Sequence, residues 1–311
     1  MGMRFFIVIS SLPFSFYPPR SGALLHYGAW FILIDMKPRL IKASGEVESF
    51  NEKKLAESLR RAGASRKLIS HTLASVRPKE NQKVTSHILY NKVFNTLWKL
   101  DKGIAQRYSL KRAIMNLGPA GHVFESFVGR IFQEHGYEVR VAQIVQGKCV
   151  SHEVDVLARK DNKHYMIECK YHNQMGVRSD VKVTLYTHSR FLDIKSAWEL
   201  SEKENEIHQG WLITNTRPTS EAIAYGECVG IRIIAWRYPE GAGLDYFIES
   251  KRLYPITIIP SFPLSMVEKA SLNGILLAHD VLSWTSSALS RLLMIDVRQA
   301  QRIINEARLL G

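Results

Sequence analysis

His152-Glu153-Val154-Asp155-Val156, followed by Ile167-Glu168-Cys169-Lys170, is the pair of segments on which the fold turns. Each alternates charged with apolar residues, the period of a strand. Between them Asp161-Asn162-Lys163 carries the residue types of a hairpin turn. Pairing across that turn brings Asp155 beside Glu168. Glu168 and Lys170 stand two residues apart, so they point to one face of their strand.

Two carboxylates and a lysine so placed suit phosphodiester hydrolysis. The carboxylates can hold a hard cation such as Mg²⁺ (or Mn²⁺), which prefers oxygen ligands. A bound cation polarises a phosphate and lowers the pKa of a coordinated water. The lysine can position that water and offset charge on phosphorus. Val154, Val156 and Ile167 flank the three charges, and charges among apolar neighbours are costly unless paired or metal-bound.

Asp155…Glu168-x-Lys170 resembles the PD-(D/E)xK nuclease motif in its Mrr-like restriction-endonuclease form. The likeness spans about residues 120–240. It includes Gly121-His122-Val123-Phe124-Glu125, Gly136-Tyr137-Glu138-Val139, Leu212-Ile213-Thr214-Asn215, Ala222…Tyr225 and Gly230-Ile231. The resemblance implies Asp155 and Glu168 as metal ligands, Lys170 as the catalytic lysine and Glu125, on the preceding helix, as an auxiliary contact. No proline precedes the first acid, where His152-Glu153-Val154 stands. Tyr171, His172 and Gln174 are the candidates for the aromatic and amide groups that often follow the lysine.

Working outward, Phe124, Phe127, Val128, Ile131 and Phe132 recur at helical spacing up to Gly136. Strands are expected at 137–144, 154–157, 165–169, 211–214 and 231–235, with helices at 179–193 and 220–227. That order describes a mixed α/β sandwich. Upstream, 39–42 and 47–50 read as strands. Asn51 can cap a helix carrying Leu55, Leu59 and Ala62, which Gly63 ends. Thr85 or Ser86 can cap another, bearing Ile88, Val93, Leu97 and Leu100. A further helix is expected from about Ile104 to Leu117, stopped by Gly118-Pro119. The fold class is thus a multidomain α+β and α/β chain: a small, mainly α unit at 37–118, the α/β sandwich with a mixed sheet at 119–255, and a helical C-terminal module at 256–311. In that module 287–294 and 297–310 form two helices around Asp296, an N-cap.

Charge is unevenly spread. Of the net +13, residues 37–120 carry 18 basic and 6 acidic side chains, whereas 121–311 hold 22 of each. Such a segment is suited to an anionic partner, either nucleic acid or nucleotide phosphates. Within it, 40–54, Val84-Thr85-Ser86 and Ala105-Gln106-Arg107-Tyr108 through Ile114 resemble an ATP-cone domain, a regulatory ATP- or dATP-binding module. The resemblance implies Lys42, Glu48, Asn51, Lys54 and Thr85 as nucleotide contacts. Lysines can meet phosphates as point charges, and a helix N-terminus attracts anions. Ala43-Ser44 replaces the usual basic-acidic pair, and no GxxxxGK[ST] loop is present, so ATP hydrolysis is not implied.

Hydrophobic residues at 46% and charged residues at 23% exclude a disordered tail or a collagen-like chain. Cys149, Cys169 and Cys228 form no CxxC, which argues against a zinc ribbon and for a reducing compartment. The apolar extension at 1–36 has no run long enough to span a bilayer. It is read as an upstream extension with Met36 as the working start. Cytoplasmic location, no stable membrane association, DNA and nucleotide as partners, and a homodimer as one arrangement complete the expectation.

The function expected is metal-dependent DNA cleavage tuned by the cone. Two competitors stand beside it. One is a nucleotide-responsive DNA-binding regulator on a silent nuclease fold. The other is a resolvase selective for Holliday-type junctions. With 121–311 neutral, the basic segment should supply the DNA grip, so removing residues 1–118 should weaken DNA binding.

Overall fold

A computed structural model describes residues 38–119, 121–199 and 207–311; the extension at 1–36 lies outside them. The described chain opens with a hairpin of β1 (Arg39–Ile41) and β2 (Val47–Ser49). Asn51 caps α1 (Glu52–Arg61) by accepting from the Lys54 N–H, and Leu55 and Leu59 turn inward. Gly63, at φ +85°, ends the helix, because only glycine enters that region without cost. Ser65 then caps α2 (Arg66–Val76), and β3 (Lys83–Thr85) runs parallel to β1, completing a sheet of order β2-β1-β3. Apolar spacing does not announce these two elements. The inward stripe of α2 includes a threonine, Thr72, and β3 is three residues long.

Thr85 caps α3 (Ser86–Leu100), which buries Leu89, Val93 and Leu97. The face expected for it is corrected here: Ile88 and Leu100 are exposed, because a spacing of four from Leu89 carries the buried stripe. The single helix expected over 104–117 is two, α4 (Lys102–Tyr108) and α5 (Leu110–Met115). Ser109 breaks it. Its hydroxyl donates to the Gln106 carbonyl and its N–H is shared between Ala105 and Gln106, which diverts the backbone from the α ladder.

The central sheet follows α6 (Gly121–Glu134). It comprises β4 (Glu138–Gln146), β5 (Ser151–Lys160), β6 (Lys163–Lys170), β8 (Ile207–Thr214) and β10 (Arg232–Ala235) in the order β10-β8-β6-β5-β4. A short pair, β7 (Arg178–Ser179) and β9 (Arg217–Pro218), lies outside it. β4, β5 and β6 form an antiparallel meander, while β6, β8 and β10 are parallel. Parallel neighbours need helical crossovers, supplied by α7 (Val181–Glu199) and α8 (Ser220–Val229). All five expected strands are present, and two of them, β5 and β6, are longer at both ends. Asp161 and Asn162 make the β5–β6 turn, both with positive φ, as a tight hairpin demands.

One face of the sheet packs beneath α6, burying Phe124, Phe127, Ile131 and Phe132, each contributing about 1.5–3 kcal/mol. The other packs beneath α7 through Phe191 and Ile194. The first core does not stop at the sheet. It takes in Leu110, Ile114 and Leu117 from upstream. It also takes in residues of α10 (Val267–Leu272), α11 (Ser286–Leu293) and α12 (Val297–Ala307) from downstream, after the short α9 (Leu244–Glu249). Asp296 caps α12 by accepting from Gln299, and the helix ends at Ala307 in a 3-10 turn rather than running to 310. Among the described residues no helix is long and apolar enough to cross a membrane.

The β4–β5 connection is tied down by one acid. Asp193 of α7 accepts from the backbone N–H groups of Cys149 and Val150 and from His152 Nε2. Those bonds, His152 foremost, hold its carboxyl down to about 2. Gly147 sits against this knot, and a Cβ there would overlap the Asp193 carboxylate and press on the Val150 carbonyl. Gly147→Ala is therefore expected to cost about 1–3 kcal/mol, read as a lowered urea midpoint at unchanged slope.

Candidate active site

The site is made where two strands part. β5 and β6 pair from Lys160↔Lys163 to Val156↔Ile167. Beyond that point β5 continues against β4, through Val154↔Gln143 to Ser151↔Gln146. β6 instead continues against β8, through Glu168↔Leu212 to Lys170↔Thr214. Asp155 and Glu168 are the first residues past the last pair. Asp155 is held there by the Cys169 N–H, which donates to its carboxylate at 2.6 Å.

A backbone reset aims Asp155. The β4–β5 ladder omits the pair Ala142–Asp155, and Ala142 adopts φ +52°. Across this point the faces exchange: Val154 packs in the core beneath α7, whereas Val156 packs in the core beneath α6. Two residues apart on a regular strand would share a face. Such irregularities re-aim side chains.

The acids there are crowded and partly desolvated. Burial, then the neighbouring Asp155, pushes Glu168 up to about 7. Burial, then Asp155 and Glu153, raises Glu125 of α6 to about 7 as well. Asp155 is also raised by burial, against the pull of the Cys169 N–H. Lys170 is exposed at the end of β6. Among the described residues no three His, Cys, Asp or Glu side chains form a ready cage for a metal. Mg²⁺ does not need one, since it keeps several waters and takes one or two carboxylates. Asp155 and Glu168 fit that demand: two hard oxygen donors side by side where the strands part, with Asp155 disfavouring charge on Glu168.

The sequence does not reveal Arg190. It rises from α7, and its Nη1 donates to Glu168 Oε2 at 2.5 Å and to the Glu153 carbonyl at 2.7 Å. Its position depends on how α7 lies across the sheet, which no local pattern encodes. The candidates after the lysine take other work. Tyr171 donates its hydroxyl to the Met115 carbonyl and His172 bonds Ser179, while Gln174 is exposed.

The five residues suggested as nucleotide contacts lie around the small N-terminal sheet. Glu48 bridges Lys42 at 2.9 Å and Lys54 at 3.3 Å, and Lys42 draws its carboxyl down. Asn51 and Thr85 are helix caps, with Thr85 opposite Ile41 in the parallel pair.

Residues 119–240 match the Mrr_cat family model, described as restriction endonuclease. An uncharacterized protein of Archaeoglobus fulgidus is 38% identical over 181 residues, covering 58% of this chain and 98% of that protein. The crystal structure of a protein of unknown function, AF1548, is similar with TM-score 0.53 at 36% identity, over 61% of this chain and 97% of its own. MspJI restriction endonuclease, solved with a 27-mer oligonucleotide, is far more distant, with TM-score 0.33 at 12% identity over 65% of this chain and 40% of its own.

Proposed function

Because this chain belongs, through residues 119–240, to the Mrr_cat restriction-endonuclease family, we propose that it is a metal-dependent deoxyribonuclease governed by a nucleotide-binding N-terminal module. The observation that carries the reading is the parting of β5 and β6 at Asp155 and Glu168, with Lys170 one step further on the same strand face.

Asp155 and Glu168 would hold Mg²⁺ or Mn²⁺, which when bound supplies charge neutralisation at the phosphate and a more acidic water. The protein's own groups do the rest. The Cys169 N–H fixes Asp155 at the cleft. Lys170, free to reach solvent, meets the phosphate and offsets the charge that develops there. Glu125, raised to about 7, can hold or release a proton near neutrality, the requirement for acid–base work. The basic stretch 37–120 would grip the DNA backbone, and Lys42, Glu48, Asn51, Lys54 and Thr85 would take ATP or dATP. Saturating ATP is then expected to alter either DNA affinity or cleavage rate; no change in both removes the regulatory part.

pH gives a sharper test. A carboxyl must shed its proton to take a cation, and the pKa of Glu168 stands at about 7. It is therefore largely protonated at pH 6 and largely ionised at pH 8. Nicking of supercoiled plasmid by the full chain with Mg²⁺ is expected to rise through that interval. A rate that falls from pH 6 to 8, or no nicking at any pH between, opposes the reading. One observation favours the binding-only alternative: Glu168 already has a cationic partner in Arg190.

A further inference from the structure

We propose that Arg190 is a built-in counter-cation that occupies the metal's place against Glu168 and must leave it before a metal can bind. This rests on reading the cleft as a metal centre. The guanidinium spans the parting of the strands, touching the β5 backbone at Glu153 and the β6 side chain of Glu168 through the same nitrogen. Both side chains of the pair are largely buried, at 11% and 15% exposure. Among the described residues no other cation stands within ion-pair distance of Asp155, Glu168 or Glu125. With Asp155 and Glu153 close enough to disfavour charge on Glu125, and Asp155 and Glu125 to disfavour it on Glu168, Arg190 supplies the direct neutralising contact at Glu168.

The contact is also poorly finished for a permanent one. An arginine built to clamp a carboxylate uses two parallel N–H donors. Here a single nitrogen serves both acceptors, while Nε is buried without a partner among the described residues. The guanidinium rests on the face of Tyr186, 4.4 Å from its ring centre, an exposed side chain one helical turn back. That platform can steady the cation when it swings away from Glu168. A divalent ion on the same carboxylate would meet Arg190 at contact distance in a partly desolvated cleft, where like charges repel strongly. Occupancy by one excludes the other.

Mn²⁺ titration by calorimetry tests this, with the full-length wild type, Arg190→Met and Arg190→Lys. Arg190→Met fills similar space without charge, so it is expected to bind Mn²⁺ about ten-fold more tightly, the scale on which groups around a metal's ligands alter its affinity. Arg190→Lys keeps a competing charge and should stay near wild type. An Arg190→Met that binds Mn²⁺ equally or more weakly overturns the proposal and makes Arg190 a fixed support of Glu168. If neither protein takes up Mn²⁺, the proposal falls together with the metal centre. Should Arg190→Met fail to fold, the wild type still decides. The Arg190 Nε–Hε resonance, assigned by its loss in Arg190→Lys, is expected to shift as Mg²⁺ is added, and a stationary signal in protein that binds Mg²⁺ overturns the proposal.

Discussion

A chain begun at Pro119 is expected to lose its cooperative thermal transition, although Gly118-Pro119 reads in sequence as the end of one unit and the start of another. Leu110, Ile114 and Leu117 are at most 2% exposed and pack in the same core as Phe124, Ile256 and Ile303. Emptying a buried leucine or isoleucine position costs about 2–5 kcal/mol, so losing three approaches the roughly 5–15 kcal/mol that holds a domain folded. Polar bonds go with them. Thr257 donates to the Ala113 carbonyl, Tyr171 to the Met115 carbonyl, and Asn215 to the Met115 sulfur. The tail shares the dependence, since Gln106 of α4 donates to the Glu306 carbonyl. A chain begun at Leu110 should keep a cooperative melt by circular dichroism. A chain begun at Pro119 that melts as cooperatively and as late contradicts this. Removing residues 1–118 is thus a poor probe of DNA grip, and charge reversals at exposed sites such as Arg66 and Lys67 serve better.

Asp155→Asn is expected to reduce Mg²⁺-dependent cleavage by about a thousand-fold or more while leaving the fold intact. The amide keeps an oxygen for the Cys169 N–H, so the hydrogen bond that fixes the side chain survives. What it loses is the charge that a hard cation requires. A bound metal contributes several kcal/mol to stabilising the transition state, and each 1.36 kcal/mol is ten-fold in rate. DNA binding should persist, because backbone contacts depend on the basic segment rather than on this acid. Stopped-time gels of plasmid nicking, paired with filter retention, read the two effects separately.

Much of the centre of the fold was legible from the sequence because it is local. Asp161-Asn162 makes the turn it should, and the hairpin register that follows brings Asp155 to Glu168. Asn51, Thr85 and Asp296 cap their helices through bonds to residues three positions on. What escaped depends on how distant elements meet. Arg190 reaches Glu168 across 22 positions only because α7 lies over the parting strands. Asp193 ties the β4–β5 connection from that same helix. The pairing of Lys42 and Lys54 with Glu48 arises from a hairpin folding beside a helix start, and spacing alone does not favour it over separate roles. Ser109 interrupts a helix by a side-chain bond to the Gln106 carbonyl within a run of good helix formers. The continuity of the core through Leu117 and Ile256 is likewise invisible where proline and glycine punctuate the chain.

The most direct measurement is nicking of supercoiled plasmid at pH 8 by wild type and Asp155→Asn, with Mg²⁺ and with a chelator. Nicked circles should form only with wild type and Mg²⁺, while both proteins retain the DNA. Equal nicking by Asp155→Asn, or DNA retained by the wild type and left intact under both Mg²⁺ and Mn²⁺, would contradict a metal-dependent nuclease centred on Asp155 and Glu168.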